Sequence, residues 1–241
     1  MNVNNITLQG IGFLKSLAIF GAASIVLILE THFLIPYLSG ITGWEPVIFW
    51  FIVAGLGIFL ILLLTAVIIL KNEGYDIDNK VWNNRLRFRK ITKSDWLLSL
   101  GALLVIGVFS ALIFKMMGVF VEKVSNQPPF MSFEPLDGNR YWILAIWFPY
   151  WILNIMSEEI LWRGVILPRQ EVVFGRFAWL LNGFLWGIFH IAFGWQLLLS
   201  LLPILFIQPF VVQRTKNSWT GVIIHAGING TSFIAISLGL I

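Results

Sequence analysis

Residues 141–167 read YWILAIWFPYWILNIMSEEILWRGVIL, an apolar run that carries two adjacent acids, Glu158 and Glu159, and one base, Arg163. About 20 mainly apolar residues at roughly 1.5 Å each cross a bilayer as a helix, so the run predicts a transmembrane helix. A charge at the centre of such a helix costs roughly 2.5–3.5 kcal/mol even on insertion scales. Two neighbouring acids in that position need a polar interior, a partner or a chemical task.

The rest of the chain agrees with a membrane setting. It is 58% hydrophobic and 12% charged, where soluble domains carry about a quarter charged residues. Apolar stretches of spanning length lie at about 11–37, 46–70, 96–121, 141–167, 177–194, 195–213 and 219–241. The expected fold is therefore all-α, a polytopic helix bundle of about seven transmembrane helices within one integral membrane domain. The fifth and sixth stretches meet at Gly194-Trp195 without a polar loop, and no internal repeat is visible. There is no cysteine, which excludes disulfides and thiolate chemistry. Residues 1–9 are polar but not basic, and the run after them is long enough to span, which argues against a cleaved signal.

The net charge of +4 comes mainly from residues 71–95, with Lys71, Lys80, Arg85, Arg87, Arg89, Lys90 and Lys93. The excess of Lys and Arg predicts a cytoplasmic loop and no nucleic-acid partner. With seven alternating helices, Arg169, Arg176, Arg214 and Lys216 fall on the same side, and the other side holds Lys123 and Arg140 among Glu45, Glu122, Glu134 and Asp137. This places the N-terminus in the cytoplasm and the C-terminus outside. Trp44, Trp50, Trp96, Trp142, Trp195 and Trp219 stand near helix ends, where indoles anchor at the interface. Glu30 and His32, near the outer end of the first helix, read as interfacial and take no role.

Three later helices hold the polar residues that lipid does not tolerate: Glu158, Glu159 and Arg163; His190; His225 and Asn229. Glu159 and Arg163 are four apart and share a helix face, as do His225 and Asn229. At 1.5 Å per residue Glu158 lies roughly 25 Å from the outer end, and His190 and His225 roughly 20 and 9 Å from the inner end. All three then sit in the middle to cytoplasmic half of the bilayer. A carboxylate with imidazoles suits water activation, with an acid as general base and a His/Asn pair donating to an oxyanion. Glu158, His190 and His225 also form a ligand set for a divalent metal such as zinc, although the H-E-x-x-H pattern of soluble zinc hydrolases is absent. Small residues at Gly183, Gly187, Gly227 and Gly230 allow close helix approach near the histidines.

These motifs, in this order, resemble the CAAX prenyl endopeptidase and bacteriocin-processing (CPBP) family, also called the abortive-infection family. They stand here as Glu158-Glu159-x-x-x-Arg163, Trp186-x-x-x-His190 and His225-x-x-x-Asn229. The second motif usually begins with Phe, and Trp186 takes that place. The resemblance covers about 141–241, marking that part as a catalytic core behind N-terminal helices in residues 1–140. It implies that Glu158 is the general base and that His190 holds and polarises the water. It implies that His225 and Asn229 stabilise the oxyanion, or ligate a metal, and that Glu159 and Arg163 shape the site. The expected activity is hydrolysis of a peptide bond in a membrane-associated peptide or protein, in a multi-pass protein of a bacterial cell membrane. The alternative is a non-enzymatic immunity or scaffold protein that keeps the polar core for packing.

Overall fold

The computed structural model describes residues 8–122, 124, 125 and 127–240. Residues 1–7, Lys123 and Ile241, on which parts of the sequence reading rest, lie outside the described residues. The described residues form helices and connecting turns, with no strand among them. Helix α1 spans Phe13–Thr42, α2 Pro46–Asn72 and α3 Lys93–Phe120. A continuous helical run, Ile143–Phe193, follows. It folds back on itself at the short 3₁₀ turn Gly175–Phe177, where Gly175 takes φ 53°. The run therefore supplies two legs, α4 (143–174) and α5 (178–193). Helices α6 (Trp195–Thr215) and α7 (Ser218–Ser237) complete the bundle. Gly194 joins α5 to α6 with φ 81°, a left-handed backbone that costs glycine little and explains how the reversal needs no polar loop.

The seven legs alternate between two ends, as the charge distribution requires. One end gathers the start of α1, the loop between α2 and α3, and the α4–α5 and α6–α7 turns. There the Ile11 N–H donates to the Arg169 carbonyl at 3.0 Å, and the Ser218 N–H to the Arg87 carbonyl at 2.9 Å. Arg87 pairs with Glu171 at 2.8 Å and Lys216 with the same carboxylate at 2.5 Å. At the opposite end Arg140 pairs with Glu45 at 2.5 Å, and the Leu136 N–H donates to the Ser237 carbonyl at 2.9 Å. Helix α3 packs on α6 and α7, α5 on α1 and α6, and α4 on α2 and α7.

The basic loop is also a structural part. Arg85 is buried, bonded to Glu73 at 2.8 Å, and donates to the Gly164 carbonyl at 2.9 Å and the Val165 carbonyl at 3.3 Å. The Gly164 carbonyl lacks its usual helical partner for a local reason. Pro168 has no N–H to return to the carbonyl four residues back, and Glu159–Ile166 is wound as a wide π-helical segment. A guanidinium from the loop satisfies what the helix cannot. Helix α3 begins with a reciprocal cap, Thr92 accepting from the Asp95 N–H and Asp95 from the Thr92 N–H. Of the six tryptophans read as interfacial, Trp44, Trp96, Trp142 and Trp195 are about half exposed, but Trp50 is buried. It packs among Phe59, Phe130, Tyr150 and Phe193 because α2 is covered on that face.

Candidate active site

The π-helical segment of α4 begins at the twin acids, a kind of helix defect often found at functional sites. Glu158 and Glu159 lie one step apart on the helix and face different partners. Glu158 is 1% exposed. Its Oε1 accepts from the Asn154 side-chain amide at 3.2 Å and its Oε2 from the Trp186 indole N–H at 2.6 Å. Glu159 is fully buried and turns towards α6 and α7. Its Oε1 accepts from the Gln208 amide at 2.6 Å and from His225 Nδ1 at 2.9 Å. Its Oε2 stands 3.6 Å from Arg163 Nε.

Arg163 is fully buried, and none of its three guanidinium nitrogens has a hydrogen-bond partner among the described residues. The charge is met by Glu159 and by the face of Trp186, whose ring centre is 3.7 Å from Cζ. A cation over an indole in a dry interior gains about 2 kcal/mol.

His190 opens the 3₁₀ turn His190–Phe193 that ends α5. Its Nδ1 lies 2.9 Å from the Trp186 carbonyl. A carbonyl only accepts, so Nδ1 carries the proton and Nε2 of the neutral ring keeps its lone pair. The same reasoning applies to His225, whose Nδ1 faces a carboxylate, a pairing that holds an imidazole in one tautomer. Asn229, one turn along α7, donates to the Asn154 side-chain carbonyl at 3.3 Å. Gly221 lets α7 approach, because a Cβ there would collide with Glu159 Oε2.

One cavity of about 180 Å³ is lined by Glu158, His190, His225 and Asn229 together. Trp186 and Asn154 also line it, and its remaining wall is largely aromatic. Glu159 and Arg163 stand behind it. Spacing alone put the three acid and imidazole groups in the middle to basic-end half. The cavity extends from there the other way, towards the end that holds Glu45 and Arg140.

The metal expectation meets a different geometry. Among the described residues no three His, Cys, Asp or Glu side chains are disposed to hold a metal ion. Both oxygens of Glu158 accept from N–H donors, an arrangement that suits a carboxylate holding protein donors and crowds a cation. Glu158, His190 and His225 all line the cavity, but they are not grouped as a metal site.

Several contributors escaped the sequence reading. Trp186 was legible as an aromatic but not as a donor to Glu158. Asn154 is four residues before Glu158 and so on its face, a spacing that signals it in retrospect. Gln208 is a lone amide in an apolar helix. Glu30 is buried in the π-helical segment Glu30–Leu34 rather than interfacial, and packs where Gly57 leaves room. His32 bonds the Ala192 carbonyl at 2.9 Å and so ties α1 to the turn that carries His190. The N-terminal helices also build the cavity, through Val47, Trp50, Phe51 and Phe59 of α2.

The family model described as Type II CAAX prenyl endopeptidase Rce1-like matches residues 140–231, which contain all seven motif residues. The match covers 92 of the 241 residues, and it names the CAAX protease family that the motifs resemble. No curated protein and no solved structure matches the chain.

Proposed function

We propose, from that family match and this geometry, that the protein is an intramembrane endopeptidase in which Glu158 activates water directly. The observation that carries the reading is the shared cavity of Glu158, His190, His225 and Asn229. Glu158 takes a proton from water as it attacks the scissile carbonyl, and passes it to the leaving amine when the tetrahedral intermediate collapses. His190 Nε2 accepts a hydrogen bond from the same water and aims it. The Asn229 amide has a second N–H beyond the one given to Asn154, and donates it to the oxyanion. His225 adds a donor once protonated, and the Glu159 carboxylate at its Nδ1 stabilises that imidazolium. Trp186 and Asn154 hold the base in place. The N-terminus lies in the cytoplasm, as the Lys and Arg distribution favours.

The test is turnover of internally quenched peptides by purified protein in proteoliposomes. Glu158→Gln keeps the size of the side chain but removes the base, so the rate falls by about 10²–10⁴ or more. Wild-type turnover by that variant would remove Glu158 from the chemistry.

A further inference from the structure

We propose that the cavity takes its substrate from the extracytoplasmic side, as an extended polypeptide segment that places one bulky apolar side chain beside Glu158. This rests on the endopeptidase reading for its chemistry, but on different observations for its direction. The first is where the lining residues lie along their helices. In α2 they are Val47 to Phe59, in α4 Trp147 to Glu158, in α5 Trp186 to Phe193, and in α7 His225 to Ile236. Apart from His225, near the middle of α7, each set belongs to the half of its helix that runs towards the Glu45–Arg140 end. Gln127, Met131 and Phe133, from the segment joining α3 to α4 at that end, complete the wall. Ser232, exposed and on the lining, marks the mouth.

The second observation is the closed floor. Towards the basic end the next layer is Trp162, Arg163 and Val165, each 0% exposed, with Arg85 at 6% beneath them. Nothing in that layer lines the cavity.

The third is charge. Seven Lys and Arg in residues 71–95 and four more in the turns at 169–176 and 214–216 lie at the closed end. In sequence, the loops of the open end carry only Lys123 and Arg140 among four acids, and Arg140 is neutralised by Glu45. The positive-inside rule counts such short loops and puts the closed end in the cytoplasm. The mouth then faces outward. Size and lining set the class of substrate. A volume of about 180 Å³ compares with a cavity of roughly 150 Å³ that admits benzene. With its aromatic wall it accommodates one Phe, Leu or Met side chain, and the peptide bond next to that residue enters by the same mouth to reach Glu158.

The absence of cysteine makes the test direct. Ser232→Cys and Lys80→Cys are expressed singly in cells and treated with a membrane-impermeant thiol reagent, before and after lysis. The expected result is equal labelling of Ser232→Cys in intact and lysed cells, and labelling of Lys80→Cys only after lysis. The reverse pattern overturns the proposal, as does labelling of Ser232→Cys by membrane-permeant reagent alone, which would mean a mouth open to lipid. A second arm adds quenched peptides with a central Phe or Leu to right-side-out and inside-out vesicles. Cleavage confined to right-side-out vesicles and lost in Glu158→Gln supports the inference; cleavage confined to inside-out vesicles overturns it and leaves the endopeptidase reading standing. Outward labelling of Ser232→Cys without cleavage in either vesicle overturns the peptide substrate, and with it the endopeptidase reading, while the outward mouth stands.

Discussion

Glu159→Gln and Glu158→Gln are near-identical changes one residue apart, and the structure predicts opposite outcomes for stability. At Glu159, Oε1 faces two donors, the Gln208 amide and His225 Nδ1, and Oε2 faces the Arg163 guanidinium. A glutamine must point its NH₂ group at one of these, so donor meets donor in either orientation. It also removes the one carboxylate within ion-pair distance of a guanidinium that is fully buried. Breaking a buried ion pair from one side costs about 3–5 kcal/mol. At roughly 2–4 °C per kcal/mol for a chain of this length, melting falls by roughly 6–20 °C. At Glu158 the partners are more forgiving. Asn154 can rotate its amide to accept from the new NH₂, and Asn229 can follow, so the loss is about 1 kcal/mol, one neutral hydrogen bond. Thermal unfolding of detergent-solubilised protein separates the two. A third variant isolates the cause: Glu159→Gln with Arg163→Met removes the stranded charge and recovers most of the loss. A Glu159→Gln protein as stable as wild type, or a double variant no better than the single, would refute the stranded-cation account.

Three further outcomes follow from the same geometry. Trp186→Phe keeps an aromatic face for Arg163 but removes the 2.6 Å indole bond to Glu158; a charge-assisted hydrogen bond is worth about 1.5–3 kcal/mol, so kcat drops by roughly 10–100-fold with KM nearly unchanged. Gly221→Ala drives a methyl into Glu159 Oε2 and to 2.9 Å from Val212 Cγ2; both melting temperature and turnover decrease, and an unaltered protein would show that α7 has freedom the packing denies. Dialysis against 1,10-phenanthroline leaves peptide turnover unchanged, and restoration of a lost rate by added zinc would return a metal to the mechanism.

The sequence exposed the parts of this molecule that are expensive. Glu158, Glu159, His190 and His225 stood out because lipid penalises them, and the alternation of charge located the two ends. It was silent where cost is shared between distant residues. Trp186 counts as apolar in any periodicity, so its N–H went unseen until α5 lay against α4. Arg85 vanished within a run of seven cations, since a charge pattern does not distinguish the one that folds inward. Glu30 was misplaced because a helix-end position suggests solvent, whereas α2 closes over it at Gly57. Trp50 failed in the same way.

The bond from Arg85 to the carbonyls of Gly164 and Val165 has a consequence for how the chain is made. During synthesis residues 73–93 leave the ribosome before α4, so the guanidinium that completes the wide turn already waits at the membrane surface when Pro168 arrives. Gln208 and His225 emerge only afterwards. Until then Glu159 has Arg163, four residues on in its own helix, as its single counter-charge. The pair that later stands behind the cavity thus first serves as an escort, carrying a carboxylate across the bilayer before the imidazole it orients exists.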